Sequence, residues 1–441
     1  MGFDPASFTE FRYAGYTFEG STAAFEFELV GETVERFTET VEFTSSTSVN
    51  VDWPRFHAVL QLLGSILGLS YYKAAAPDRF VIDGGGMTAA AVAYLRQTLR
   101  EGLAEFAYRA ELPALLEPEI VAVVTPPLES RAVEGAPLVP IGGGKDSVVS
   151  VESLAASGMQ PVQFAVNPNV VIRRVAEVSG HPLVSAKRTI DRRLLVLNAD
   201  GALNGHVPVT AMNSLIAVAQ SLLLGLGPVV MSNESSASDP TLYWNGEPVN
   251  HQWSKSLEAE RALVTVLEAQ AGLTDAYFSL LRPFSELRIA RGFASTAKYD
   301  AAIVSCNRAF RMGVEHVGWC GDCDKCRFVF LAMAPYMSSD RLTRIFAKNM
   351  FEDATQLPGY RALLGLDAHK PFECVGEEAE CSVAMSLASR QPDWATSAVI
   401  TQLRREIPHL SEGSLPLEEQ VMAESDAAIP ASFAKAARAL V

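Results

Sequence analysis

Long apolar runs are missing from this 441-residue sequence. The most apolar stretch, Leu215 to Leu226, is interrupted by Gln220 and falls far short of the roughly 20 residues a membrane span needs, so no membrane partner is expected. Positive charge is in deficit: 36 Lys and Arg stand against 51 Asp and Glu, a formal net charge of −15. That field repels nucleic acid, and the basic clusters, Arg173-Arg174 and Lys187 to Arg193, are short. Cysteine is scarce at 6 residues, and 4 of these cluster, which in a reducing compartment points to a metal rather than disulfides. The opening Met-Gly-Phe-Asp-Pro has no basic segment followed by an apolar one, so no secretory leader and a cytoplasmic location are expected. Internal repeats and low-complexity tracts are absent. What is present is a globular composition, 49% hydrophobic and 20% charged, in a chain long enough for two or three domains.

The most informative stretch begins at Leu138. Leu138 to Ile141 predicts a buried strand; Gly142, Gly143 and Gly144 follow, then Lys145-Asp146-Ser147. The helix predicted next carries Val148, Val149, Val151 and Leu154 largely on one side. Glycines lacking a Cβ let backbone N–H groups turn onto an anion, and the helix start adds unpaired N–H groups and a positive dipole end. The arrangement predicts a phosphate cradle. It is not of the Walker type, because G-x-x-x-x-G-K-[ST] is absent, and no G-x-G-x-x-G opens a helix here. The loop resembles that of the PP-loop ATP pyrophosphatases, S-G-G-x-D-S, matched at Gly143, Gly144, Asp146 and Ser147. Gly142 stands where that pattern has Ser, which removes one hydroxyl donor. The resemblance implies an α/β fold with a doubly wound parallel sheet of the HUP-like type, and cleavage of ATP to AMP and pyrophosphate with Mg²⁺ held by the carboxylate.

Three units are expected along the chain. Residues 1–130 predict an α+β domain: strands over Phe8 to Leu29 and Thr33 to Phe43, a helix capped by Asp52, a turn at Gly84 to Gly86 and a second helix over Ala89 to Ala107. Pro126-Pro127 and Gly135 to Pro137 mark a linker. Residues 131–300 alternate strands (Val162 to Val166, Pro182 to Ala186, Pro228 to Ser232) with helices (Val170 to Ser179, Ala211 to Leu224), which argues for a parallel sheet with ligands at its carboxyl edge. Asn167, Asn233 and Glu234 fall at such strand ends, Asn167 where the superfamily resemblance places adenine; for each Asn a turn or cap role is the alternative. Residues 301–441 read as mainly helical, with a break at Gln356 to Gly359.

Cys320, Cys323 and Cys326 form C-x2-C-x2-C, with Cys306 fourteen residues upstream. Such spacings aim successive thiolates at one ion, and four of them complete a closed, structural tetrahedral zinc site. An iron–sulfur cluster and reduced structural cysteines are the alternatives; His316 is a candidate to replace Cys306 as fourth ligand, against a surface or core histidine, which is the favoured reading. The cluster is similar to the zinc site of 7-cyano-7-deazaguanine synthase, with a longer first spacing.

Three further segments, Ser232 to Ala237, Val249 to Ser256 and Lys370 to Gly376, are polar and lie between apolar elements. With the Ile141 to Ser147 loop they resemble the bacterial UDP-N-acetylmuramoyl-L-alanyl-L-glutamate epimerase (MurL) family over most of the chain. The resemblance implies ATP- and Mg²⁺-dependent inversion of the terminal glutamate of UDP-MurNAc-L-Ala-L-Glu through an adenylated α-carboxylate, without pyridoxal phosphate. It implies functional pairing with a ligase that adds L-Glu to UDP-MurNAc-L-Ala. On this reading Gly142 to Gly144, Lys145 and Ser147 contact the nucleotide and Asp146 holds Mg²⁺. Cys374, His251 and Lys255 are the candidate acid–base groups, against a buried small hydrophobe for the first and a solvated loop for the others. Arg288 and Arg291 are candidates for the UDP phosphates, against an exposed helix face. Two rival readings stay open: another adenylating enzyme, 7-cyano-7-deazaguanine synthase-like or amide-forming, and a nucleotide-binding regulator without catalysis.

Overall fold

Alternating apolar and polar residues build an N-terminal meander. In β2 (Thr22–Gly31), for example, Ala23, Phe25, Phe27 and Leu29 point inward. It pairs antiparallel with β1 (Phe8–Glu19) and β3 (Val34–Glu42). The computed structural model describes residues 2–46, 49–306, 308, 318–367, 373 and 375–441. Asp52 caps α1 (Trp53–Leu67) as expected, accepting from the Arg55 N–H at 3.4 Å, and α2 (Leu69–Tyr72) follows. The three glycines expected as a turn instead lie inside β4 (Arg79–Met87), parallel to β1. The reason is close approach: a Cβ on Gly84 would stand 2.0 Å from the Cα of Gly15 on β1. The single helix expected next is two, α3 (Ala89–Arg100) and α4 (Ala104–Arg109), divided where Gly102 lies against Pro208. β5 (Glu119–Val124) completes this part, parallel to β4.

After the short β6 (Arg131–Ala132) come β7 (Leu138–Pro140), α5 (Lys145–Ala156), β8 (Val162–Val166), α6 (Val170–Ser179) and β9 (Leu183–Thr189). Asn169 caps α6 through the Ile172 N–H at 3.0 Å, and Gly180 ends it in the left-handed region at φ 78°. The chain continues through α7 (Arg192–Ala199), α8 (Val209–Leu224), β10 (Val229–Met231), the hairpin β11 (Leu242–Trp244) and β12 (Glu247–Val249), α9 (Leu257–Ala271), β13 (Leu273–Thr274), β14 (Tyr277–Ser279) and α10 (Glu286–Ala294).

One large, mostly parallel sheet of ten strands results, in the order β14-β10-β7-β8-β9-β3-β2-β1-β4-β5. The segments before and after residue 130 meet in it through an antiparallel junction of β3 with β9, Thr40 opposite Thr189. From β9 to β14 all neighbours are parallel. Strand order reverses between β7 and β10, so their carboxyl ends diverge into a crevice. Helices cover both faces. Val148, Val149 and Leu154 of α5 and Val175 of α6 join one core cluster with the C-terminal helices. Leu62 and Leu63 of α1, Leu215 of α8 and Leu267 of α9 join the other.

Beyond α11 (Asp324–Met333) the described chain is helical, as expected. The break expected at Gln356 to Gly359 is instead the start of a helix, Leu357–Leu363, with Pro358 in the first turn where an N–H has no partner to lose. Among the described residues no helix is long and apolar enough to cross a membrane.

Candidate active site

The glycine turn closes the carboxyl end of β7. Gly143 has φ 84°, and a Cβ there would lie 2.8 Å from Val171 Cγ1; a Cβ on Gly144 would lie 2.3 Å from Ser305 Oγ. Both positions are therefore closed to larger residues. Gly144 is the N-cap of α5 and has no side chain with which to satisfy the first N–H groups of that helix. They border a cleft of about 430 Å³ at the strand-order reversal. Gly142, Asp146 and Ser147 line it from the turn, Ser232, Asn233 and Glu234 from the end of β10, Lys255 and Ser305 from the segments before α9 and after α10, and Lys325 from the first turn of α11, together with the apolar Phe164, Ile172 and Met231. Two distant polar segments singled out in the sequence, Ser232 to Ala237 and Val249 to Ser256, thus contribute to one wall.

Beneath the cleft lies a knot of buried charge. The Lys145 ammonium contacts both Asp146 and Glu286. Burial alone would lower its pKa, but these two carboxylates raise it above the ordinary value. Glu286 is pulled the other way. Burial opposes its ionised form, yet Lys145 and then Lys325, whose ammonium stands 3.7 Å from the carboxylate, bring its pKa below the usual carboxylate range. Among the described residues Glu234 makes no such ion pair. Burial first, then the negative Glu286 and Asp146, push it up to about 7 against the pull of Lys255 and Lys325. Glu380, on the helix Glu378–Arg390, is pushed up to about 8 by burial and by Glu286 and Glu234. Its carboxylate accepts from the Glu286 N–H at 2.9 Å.

Arg282 holds this wall in place. Buried itself, it donates to Glu260 at 3.0 and 2.8 Å and to the Lys255 carbonyl at 2.6 Å, and also bonds the Glu234 carbonyl. Sequence reasoning missed Arg282, Glu286, Glu380 and Lys325. Only the last had an adjacent signal, its place inside the cysteine motif.

Other expected site residues lie elsewhere. The Asn167 amide bonds the backbone of Arg188 at 2.8 and 2.9 Å, joining β8 to β9 outside the cleft lining. Arg288 donates to the Met422 carbonyl at 3.1 Å and stacks 4.6 Å over Phe284, while Arg291 is exposed on α10; neither lines the cleft. His251 contacts Glu105 and packs on His206, whose pKa is pushed down to about 4 by burial and then by His251. Cys374 and His316 lie outside the described residues.

Cys306, Cys320, Cys323 and Cys326 come together, their sulfurs all within 4.8 Å of one another. Three of the separations are 3.9, 3.7 and 3.5 Å, close to the roughly 3.8 Å that tetrahedral ligands at about 2.3 Å impose. Gly321 at φ 63° turns the loop, and Cys323 and Cys326 occupy the N-cap and first turn of α11. The group could hold a metal ion, and its chemistry is compatible with zinc.

A mostly parallel sheet with a glycine turn over a charged cleft at its reversal point, and four clustered thiols beside it, defines an α/β protein with a candidate active site at the sheet's carboxyl edge. Within that class the chain belongs to the MurL family: the MurL N-terminal domain matches residues 2–280 and the MurL C-terminal domain, of epimerase type, residues 302–417. It is similar to three relatives, each named UDP-N-acetyl-alpha-D-muramoyl-L-alanyl-L-glutamate epimerase. That of Salinispora tropica is 51% identical over 90% of this chain and 89% of its own. That of a Micromonospora species is 48% identical over 97% of both chains, and that of Xanthomonas oryzae pv. oryzae is 42% identical over 86% of this chain and 85% of its own.

Proposed function

We propose that this chain is an isomerase that inverts the terminal L-glutamate of UDP-MurNAc-L-Ala-L-Glu to D-glutamate in peptidoglycan precursor synthesis, at the expense of ATP in the presence of Mg²⁺. The family membership supports the epimerase and its substrate. The observation that carries the chemistry is the meeting, in one cleft, of an uncapped glycine turn with Asp146 and a buried carboxyl, Glu234, whose pKa is pushed up to about 7.

Loss of the α-proton from a free glutamate places a second negative charge beside the α-carboxylate. ATP, with Mg²⁺, removes that obstacle by converting the carboxylate to an acyl adenylate with release of pyrophosphate; water later cleaves the mixed anhydride, restoring the carboxylate and releasing AMP. The residues present fit such a co-substrate. The N–H groups of Gly142 to Gly144 and the start of α5 receive the phosphates, Ser147 adds a hydroxyl, and Asp146, its side chain 29% exposed, holds the cation. Lys145 is turned toward Asp146 and Glu286, and sets the position of Asp146 rather than reaching the cleft.

Glu234 takes the α-proton as base, a carboxyl titrating near neutrality being competent for that step, and a proton returned to the opposite face of the enolate gives the D configuration. Lys255 and Lys325 supply the positive charge that the enolate requires. Arg282 positions the backbone of Glu234 and Lys255. The four cysteines hold zinc as a structural ion. The test is purified protein with UDP-MurNAc-L-Ala-L-Glu, ATP and Mg²⁺, followed by chiral analysis of the released glutamate and assay of AMP. D-Glutamate with AMP supports the reading; AMP without inversion favours another adenylating reaction, and inversion without AMP removes the role of ATP.

A further inference from the structure

Among the described residues, outside the cleft and the thiol cluster, one further group of side chains has the composition of a metal site. Glu105 on α4, His206 in the loop before α8 and His251 between β12 and α9 come from chain segments more than forty residues apart, yet their ligand atoms all lie within 4.8 Å of one another. Both imidazoles aim Nδ1 at the same carboxylate oxygen, Glu105 Oε2: His251 in direct contact and His206 at 3.7 Å. The two rings lie 4.8 Å apart, centroid to centroid.

A simple hydrogen-bonded pair explains one imidazole on that oxygen. It does not explain a second ring converging on it. Three ligands around one ion at about 2.1 Å are separated by roughly 3.0–3.5 Å, so the His251–Glu105 contact opens slightly and His206, 3.7 Å from the carboxylate, closes in when an ion enters. The carboxylate is also prepared for that role. Its other oxygen, Oε1, accepts from Arg109 Nε at 2.7 Å, so Oε2 is fixed toward the imidazoles. The Glu105 side chain is 6% exposed, while His206 and His251 are 25% and 22% exposed. The group is therefore anchored on the buried side and open toward solvent.

We propose that Glu105, His206 and His251 form a second metal site, for a divalent transition ion of the zinc class, with an open coordination position. Two imidazoles with one carboxylate favour such an ion over Mg²⁺ or Ca²⁺. The site clamps α4 to two segments that serve the cleft: His206 precedes Thr210, and His251 precedes Lys255, both cleft-lining residues. Its occupancy stiffens that wall without taking part in the cysteine site, and the assignment is independent of the reaction proposed above.

Cobalt tests it directly. The metal-stripped full chain, titrated with Co²⁺, is expected to bind two classes of ion, one giving the thiolate-to-cobalt charge-transfer band and one giving only d–d bands. His206→Ala/His251→Ala and Glu105→Gln are expected to lose the second class and retain the first, which also reports that the variants are folded. Arg109→Ala, which frees the carboxylate, weakens the second class by about 10- to 100-fold. A wild-type titration showing the thiolate class alone overturns the proposal whatever the variants do. So does a d–d class that survives unchanged in both the double histidine variant and Glu105→Gln.

Discussion

The backbone N–H of Val304 donates to the carbonyl of Gly143 at 3.0 Å, tying the glycine turn to the segment that ends in Cys306. Ser305, between them, sets its hydroxyl where Gly144 would carry a Cβ. From the other end of the same cysteine cluster, Lys325 reaches the cleft. The thiol site and the proposed phosphate cradle are therefore mechanically one unit.

Metal removal is expected to loosen that unit. Chelation, or Cys323→Ser, should release the bound ion and raise hydrogen exchange across residues 303–306 and 318–326, with a parallel loss of ATP binding. Protection at Val304 unchanged after complete metal loss would show that the turn is held without it.

The tightness of the turn predicts a coupled pair of substitutions. Gly144→Ala places a methyl 2.3 Å from Ser305 Oγ and should weaken both stability and nucleotide binding. Ser305→Ala removes the obstructing oxygen, so the double variant should recover much of the loss, read as a coupling energy from urea unfolding. Gly143→Ala, at φ 84° and against Val171, should cost about 1–2 kcal/mol from its backbone alone and have no such rescue.

Asp146→Ala should abolish AMP formation and epimerisation together, while circular dichroism and metal content stay those of the parent. Turnover at the parental rate would remove Asp146 from the nucleotide site.

Glu234 predicts the pH profile. A base that titrates at about 7 gives a kcat that rises through neutrality, and Glu234→Gln should lose that limb along with most activity. Stability moves in the opposite direction. Glu234 and Glu380 keep their protons in the folded chain at pH values where the unfolded chain, titrating near the ordinary 4.5, has lost them. Their contribution is fully present below about 4.5 and is lost as pH rises through about 7 and about 8, respectively. Glu380→Gln should flatten the fall in stability over that window, measured as urea midpoints against pH.

Arg282→Met should cost about 3–5 kcal/mol of stability, because it removes the cation that faces the buried Glu260. Arg282→Met/Glu260→Leu, which removes both charges, should regain much of the stability but little activity, since the carbonyls of Glu234 and Lys255 still lack their donor. Equal recovery of both would reduce Arg282 to a structural ion pair.

What was legible in the sequence is local. The helix start at Asp52, the helix Val170 to Ser179 with its end at Gly180, the strand–glycine turn–helix unit at Leu138 to Ala156 and the C-x2-C-x2-C thiols all depend on neighbours a few residues away. Caps, left-handed glycines and short ligand spacings are settled at that range. Gly84 to Gly86 shows where local reasoning stops. A glycine triplet predicts a turn until Gly15 arrives from a strand about seventy residues away and makes the missing side chains a packing requirement.

The acid–base character of the site belongs wholly to the tertiary structure. Glu234, Glu286 and Glu380 are the same residue type, yet one falls below its ordinary pKa and two rise above it, according to which ammonium group each one meets when buried. Lys145 reaches Glu286 across 141 positions of sequence, and Arg282 reaches Glu234 across 48. Glu105, His206 and His251 converge in the same way. Sequence spacing determined which groups could be held rigidly by their own neighbours. Burial and the distances between far-separated charges, which exist only after the sheet has assembled, decided what those groups can do.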